Sequence, residues 1–173
     1  MGKLTYLVIH CTATPEGRHV DADDIIRWHK SPVAMGGRGW SRVGYSDMIY
    51  LDGQLINLTP YNQDNQVDNA EMSWGVKGKN SISRHVVYVG GLEHDYDTPL
   101  DDDDKPGYMA ADTRTPAQLH AMEIYVKYMI LRHPDIKVAG HNQFAAKACP
   151  SFNVPQWLRS IGVDEKNIHE RNR

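Results

Sequence analysis

Residues 4–11 form an apolar run, Leu4, Tyr6, Leu7, Val8, Ile9 and Cys11, interrupted only by Thr5 and His10. Its aliphatic, β-branched and aromatic content favours a strand, and the lack of alternation means that both faces must be covered. A strand buried on both sides needs a layer above it and a layer below, which points to an α/β architecture. At 173 residues there is room for one ordinary domain, and 40% hydrophobic with 24% charged residues is the balance of a folded globular chain. The run is too short, and too soon broken by His10, for a signal h-region or a membrane span. The expectation is a protein synthesised in the cytoplasm without a signal peptide and with no membrane partner.

The rest of the chain supplies the covering layers. Asp21 or Asp23 can cap a helix that places Ile25, Trp28 and His29 on one side and stops at Pro32. Asp52-Gly53 between residues 47–50 and 54–58 predicts a tight hairpin. Residues 82–89 predict another strand ended by Gly90-Gly91, and the acidic, Pro-interrupted stretch 93–112 reads as a surface loop. Thr115, Pro116 and Gln118 open a long helix with a capping box, whose face carries Leu119, Met122, Val126, Met129, Ile130 and His133. Residues 137–140 predict a short strand leading to His141, and Asn153 with Pro155 starts a last helix through Trp157, Leu158 and Ile161. The order βαβββαβα describes a single domain over residues 1–163, a central mixed sheet flanked by helices, with residues 164–173 as a charged C-terminal tail that frays.

Nineteen basic against 22 acidic side chains give a net charge of −3 and no basic stripe, which argues against a nucleic-acid partner. Two cysteines are too few for a disulfide scaffold. Strand alternation puts His10 and Cys11 on opposite faces, so they cannot both ligate one ion, and Cys11 is most simply a core residue. His141 ends another strand and Cys149 follows eight residues later, close enough for a loop to bring the thiol back. Two imidazoles and a thiolate suit zinc, with the fourth position left for water. Histidines at strand ends are as readily surface or core residues, so spacing alone leaves both readings open. His29 reads as a hydrogen-bonded packing residue, and His120 and His133 as surface or helix-end residues. The acidic run 101–104 lacks the pattern of a calcium loop and is expected to be solvated. Trp40, Trp74 and Tyr61 are candidates to stack on sugar or peptide faces, or simply to pack.

Several blocks together carry a resemblance. They are His10 within Val8-Ile9-His10-Cys11-Thr12-Ala13-Thr14, Trp28-His29, Val43-Gly44-Tyr45 before a hairpin, Asn80-Ser81-Ile82 before a strand ending in Gly-Gly, and Thr115-Pro116-Ala117-Gln118. The most specific is His141 followed by Lys147-Ala148-Cys149-Pro150-Ser151-Phe152. In this order, from about Leu4 to Ile161, they resemble the zinc-dependent N-acetylmuramoyl-L-alanine amidases, the family of phage amidase endolysins and peptidoglycan recognition proteins. The resemblance implies Zn2+ held by His10, His141 and Cys149, with Tyr45 and Lys147 as catalytic residues and Trp40, Trp74 and Asn80 in substrate binding. It implies hydrolysis of the amide between the lactyl group of N-acetylmuramic acid and L-alanine in peptidoglycan, by an enzyme expected to act as a monomer. The chain departs from the family at Ser46, where many members have His after the Gly-Tyr pair, and at Trp74, where related endolysins have His; both changes are expected near the cleft.

Two alternatives accompany this expectation. A non-catalytic peptidoglycan-binding module would lack the thiolate that Cys149 offers. A cytoplasmic muropeptide-recycling amidase would act on soluble fragments, whereas a lysin would reach the cell wall after release. No close carboxylate pair stands in a clear motif, which argues against a glycosidase.

Overall fold

The computed structural model describes residues 2–96 and 107–170. Its strands are β1 (Gly2–Lys3), β2 (Tyr6–Cys11), β3 (Thr14–Pro15), β4 (Asp47–Ile49), β5 (Leu55–Asn57), β6 (Gln66–Val67), β7 (Ser83–Tyr88), β8 (Gly91–Asp95), β9 (Gly107–Ala110) and β10 (Lys137–Gly140). The helices are α1 (Ala22–Lys30), α2 (Pro116–Arg132) and α3 (Val154–Ser160). Five strands make the central sheet in the order β10-β2-β7-β4-β5. All neighbours run parallel except β5, which returns antiparallel to β4 through the expected hairpin. Gly53 sits at φ +86 in that turn, a conformation open to glycine and strained for other residues.

The apolar run occupies the position its composition demands: β2 lies between β10 and β7, and Leu7, Val8 and Ile9 are fully buried. Its alternation divides the core. Leu7, Ile9 and Cys11 join Val86, Tyr88 and Val138 beneath Met122, Val126 and Met129 of α2 and Val154 and Leu158 of α3. On the opposite face Val87, Val89 and Met48 pack with Val20 and Ile25, the latter from α1. Full burial of each such aliphatic side chain is worth about 1.5–3 kcal/mol, which is why a one-residue slip of β2 is prohibitive. The single domain with a mixed sheet flanked by helices is the expected one.

All three helices read from their capping residues, the last from Asn153, begin where expected. Asp21 caps α1 in a reciprocal box with Asp24, and Thr115 caps α2 in a box with Gln118. Three expectations change. The stretch 93–112 is not a loop throughout, because β8 and β9 pair antiparallel and β3 adds alongside β8; the acidic run 101–104 itself lies outside the described residues. His133 caps the end of α2, as expected, but is buried, with Nδ1 2.6 Å from Asn65 Oδ1. Residues 164–170 do not fray. Ile168 is buried against Val138 at the β10 edge, and Asn167 donates to the carbonyls of Pro134 and Ile136. Among the described residues no helix is long and apolar enough to cross a membrane.

Candidate metal centre and cleft

The site lies over the face that α1 covers, near the carboxyl ends of β2 and β10. His10 is the penultimate residue of β2, its side chain directed away from the α2 core that receives Ile9 and Cys11. β10 ends at Gly140, so His141 emerges level with His10, and the two rings stand 4.7 Å apart. Cys149 returns on the following loop, where its sulfur lies 3.8 Å from His10 Nδ1 and accepts the Cys11 backbone N–H at 3.3 Å. One ligand atom from each of His10, His141 and Cys149 falls within 4.8 Å of the others.

That loop is held from several directions. Asn142 N–H donates to the Cys149 carbonyl, and Tyr88 OH donates to the Pro150 carbonyl, both at 2.7 Å. The Cys149-Pro150 peptide is cis. Just beyond, the Arg114 guanidinium lies 3.4 Å from the centre of the Phe152 ring and 4.9 Å from that of Trp157, while pairing with Asp112 at 2.7 Å. The block from Lys147 to Phe152 is thus tied to β7, to the start of α2 and to α3.

The donor set fits a tetrahedral ion. Zinc at about 2.0–2.3 Å from imidazole nitrogen and thiolate sulfur requires ligand atoms about 3.3–3.8 Å apart, a small contraction of the observed cluster. Burial lowers the pKa of His10 well below 6.5, with the nearby His85 and His141 adding to the effect, and burial with Lys147 lowers His141 to about 4. Both rings are therefore neutral, the form that ligates. Cys149 keeps its proton in the metal-free site, because its contact with the Cys11 thiol and then burial push its pKa up. Metal binding must displace that proton. Both cysteines are free.

A cleft of about 440 Å³ opens above the cluster, lined by His10, Tyr45, Trp40, Trp74, Asn80 and Lys147 among others. The Tyr45 ring packs 5.2 Å from His10 and 5.3 Å from His29, and burial, followed by the two cysteines, raises its pKa, so the phenol stays protonated. Lys147 is exposed at the rim. Trp40 stacks on His29 at 5.0 Å and meets Trp74 edge-on at 6.1 Å, forming one aromatic wall. Asn80 lines the cleft, but its Oδ1 is occupied by the Val76 N–H at 2.8 Å, closing the loop that carries Lys77. His29 is hydrogen-bonded as expected, accepting the Gly44 N–H at Nδ1, and it lines the cleft as well.

The two departures separate. Trp74 is in the cleft wall, whereas Ser46 is buried below it, its Oγ accepting the His85 N–H at 3.2 Å and lying 3.3 Å from Ser73 Oγ. Tyr61 is not in the cleft wall either; it donates to the buried Asp47 at 2.7 Å, where Tyr125 also donates. Two residues were missed from sequence. Arg38 lines the cleft with its guanidinium 5.1 Å over the Trp40 ring. His85 stands behind His10, and the available signal was an imidazole inside a strand buried on both faces, where a polar ring needs a reason.

The family description "N-acetylmuramoyl-L-alanine amidase" matches residues 1–152. The endolysin of Enterobacteria phage K11 is 30% identical over 152 residues, 88% of this chain and 83% of that protein. The endolysin of Escherichia phage T7 is 29% identical over 153 residues, 87% of this chain and 83% of the relative. Among solved structures, the N-acetylmuramoyl-L-alanine amidase LysC from Clostridium intestinale superposes with a TM-score of 0.65 at 18% identity, covering 94% of this chain and 88% of its own, a likeness of fold. With the family match running from the first strand through the loop that carries Cys149, the chain belongs to the N-acetylmuramoyl-L-alanine amidase family.

Proposed function

We propose that this protein is a zinc-dependent amidase that hydrolyses the bond between the lactyl group of N-acetylmuramic acid and L-alanine in peptidoglycan. The observation that carries the reading is the convergence of His10, His141 and Cys149 at the base of an aromatic-walled cleft. His10 Nδ1, an imidazole nitrogen of His141 and the Cys149 thiolate would hold the ion. Zinc bound there supplies Lewis acidity, activating water at neutral pH and polarising the scissile carbonyl.

The chain's own groups do the rest. Lys147, two residues from Cys149 and at the cleft rim, offers positive charge where the carbonyl oxygen becomes negative. Tyr45, protonated and packed on His10, offers a phenolic hydrogen bond to orient water or pass a proton. Trp40 and Trp74 offer flat apolar faces to a sugar ring or a peptide stem. Among the described residues Arg38, Lys77 and Lys147 line the cleft and no carboxylate does, which suits the anionic stem peptide. These groups form the site without a contribution from a second copy, and the reading is of an enzyme that acts as a monomer.

Cell-wall lysis is favoured over recycling of soluble fragments by the match to endolysins across most of their length. Digestion of purified sacculi is expected to release new alanine amino termini and no new reducing ends, faster than turnover of soluble muropeptides. Reducing ends without amines would refute the amidase. Cys149→Ser replaces the thiolate by a neutral hydroxyl and is expected to lose most of the bound zinc, measured by metal analysis, and the activity with it. A metal-free, fully active protein would refute the zinc chemistry.

A further inference from the structure

His85 stands on β7 directly behind His10 and has no part in the reaction outlined above. It is level with Val8 of β2, fully buried, and its Nδ1 lies 3.1 Å from His10 Nε2. Its backbone is clamped by Ser46, whose Oγ accepts the His85 N–H and whose own N–H donates to the His85 carbonyl at 2.7 Å. Gly75 faces the ring, and a Cβ there would collide with Nδ1 and Cγ of His85. The other ring nitrogen, Nε2, is buried without a hydrogen-bond partner.

This arrangement is costly for a packing residue. Leaving a buried polar atom unpaired costs about 1–3 kcal/mol, which an apolar side chain of similar size would avoid. The contact at Nδ1 is what the cost secures. His10 has two ring nitrogens, and the one that points to Cys149 and the cluster is Nδ1. For Nδ1 to present a lone pair, the His10 proton must sit on Nε2, and there it needs an acceptor in a place water does not reach. His85 Nδ1 is that acceptor. Its own proton then falls on Nε2, the atom left without a partner.

We propose that His85 is a positioning residue for the metal: it accepts the Nε2 proton of His10 and so holds the His10 lone pair on Nδ1, toward His141 and Cys149. The inference rests on the zinc-amidase reading. Outer partners of this kind typically change metal affinity by about 10–100-fold. Asparagine places its Oδ1 close to where histidine carries Nδ1, so it retains the acceptor, while its Nδ2 takes the place of the ring carbon Cδ2.

Zinc affinity measured by competition with a chromophoric chelator tests this on the full-length protein. His85→Leu is expected to bind zinc about 10–100-fold more weakly than the parent, and His85→Asn within a few-fold of it. Long-range 15N correlation spectra of the zinc-loaded parent are expected to show the His10 proton on Nε2. That measurement, with the Asn variant, decides the matter if His85→Leu does not fold. Unchanged zinc affinity in a folded His85→Leu, or a His10 proton on Nδ1, overturns the positioning role while leaving the amidase intact. A parent protein that binds no zinc overturns the zinc reading and this inference together.

Discussion

Lys147 is a flexible, exposed side chain in the sequence neighbourhood of a buried sulfur, and its value lies in charge rather than packing. Lys147→Met keeps the stem and removes the charge, so zinc content and thermal midpoint are expected to stay at parental values while kcat falls by about 100-fold. Steady-state kinetics on sacculi, alongside metal analysis, check both halves. His29 has a different signature. Burial and then the Arg38 guanidinium depress its pKa to about 4, against the ordinary 6.5, and protonation would remove the Nδ1 lone pair that accepts the Gly44 N–H. Between those values the unfolded chain takes up a proton that the folded chain refuses, so stability falls as pH drops from about 6.5 toward 4. One such group contributes a slope approaching about 1.4 kcal/mol per pH unit. His29→Asn keeps an acceptor but does not titrate; urea unfolding of zinc-free protein across this range is expected to show a slope shallower by up to one proton.

Capping decides where α2 starts, and α2 closes one side of the core that positions β2. The Thr115 hydroxyl oxygen accepts the Gln118 N–H at 3.1 Å and donates its proton to the Leu51 carbonyl at 2.7 Å, joining the helix to the β4–β5 hairpin. Gln118, fully buried, returns to the Thr115 N–H and donates to the Val89 carbonyl at 2.9 Å. Thr115→Ala removes a cap and strands these partners, with an expected loss of about 1–2 kcal/mol in urea denaturation and no change in zinc content. The capping box was legible because it is a local pattern of side chains three apart. Strands β8 and β9 were not. All of their residues but Gly91 are exposed or half-buried, and their pairing depends on backbone groups brought together from either side of the acidic stretch rather than on an apolar period.

The segment around Ile168 covers the β10 edge. Ile168, 3% exposed, packs with Val138, and Arg159 holds the segment through Glu165 at 2.7 Å and through Glu170. Ile168→Ala is expected to cost about 2–5 kcal/mol by urea unfolding, whereas Lys166→Ala, exposed nearby, is expected to stay within about 0.5 kcal/mol. Charge in the sequence suggested a frayed end because one buried isoleucine among polar neighbours carries no periodic signal. What the sequence alone determined was whatever depends on neighbours along the chain: the doubly buried β2, the capped helices, the Asp52-Gly53 hairpin, and a specific block of residues around Cys149. Which side chains meet was decided only by the tertiary structure, since contacts between residues such as His10 and His85, 75 apart, depend on strand register and leave no local pattern. The same register buried Ser46 beneath the cleft while leaving Trp74 in its wall.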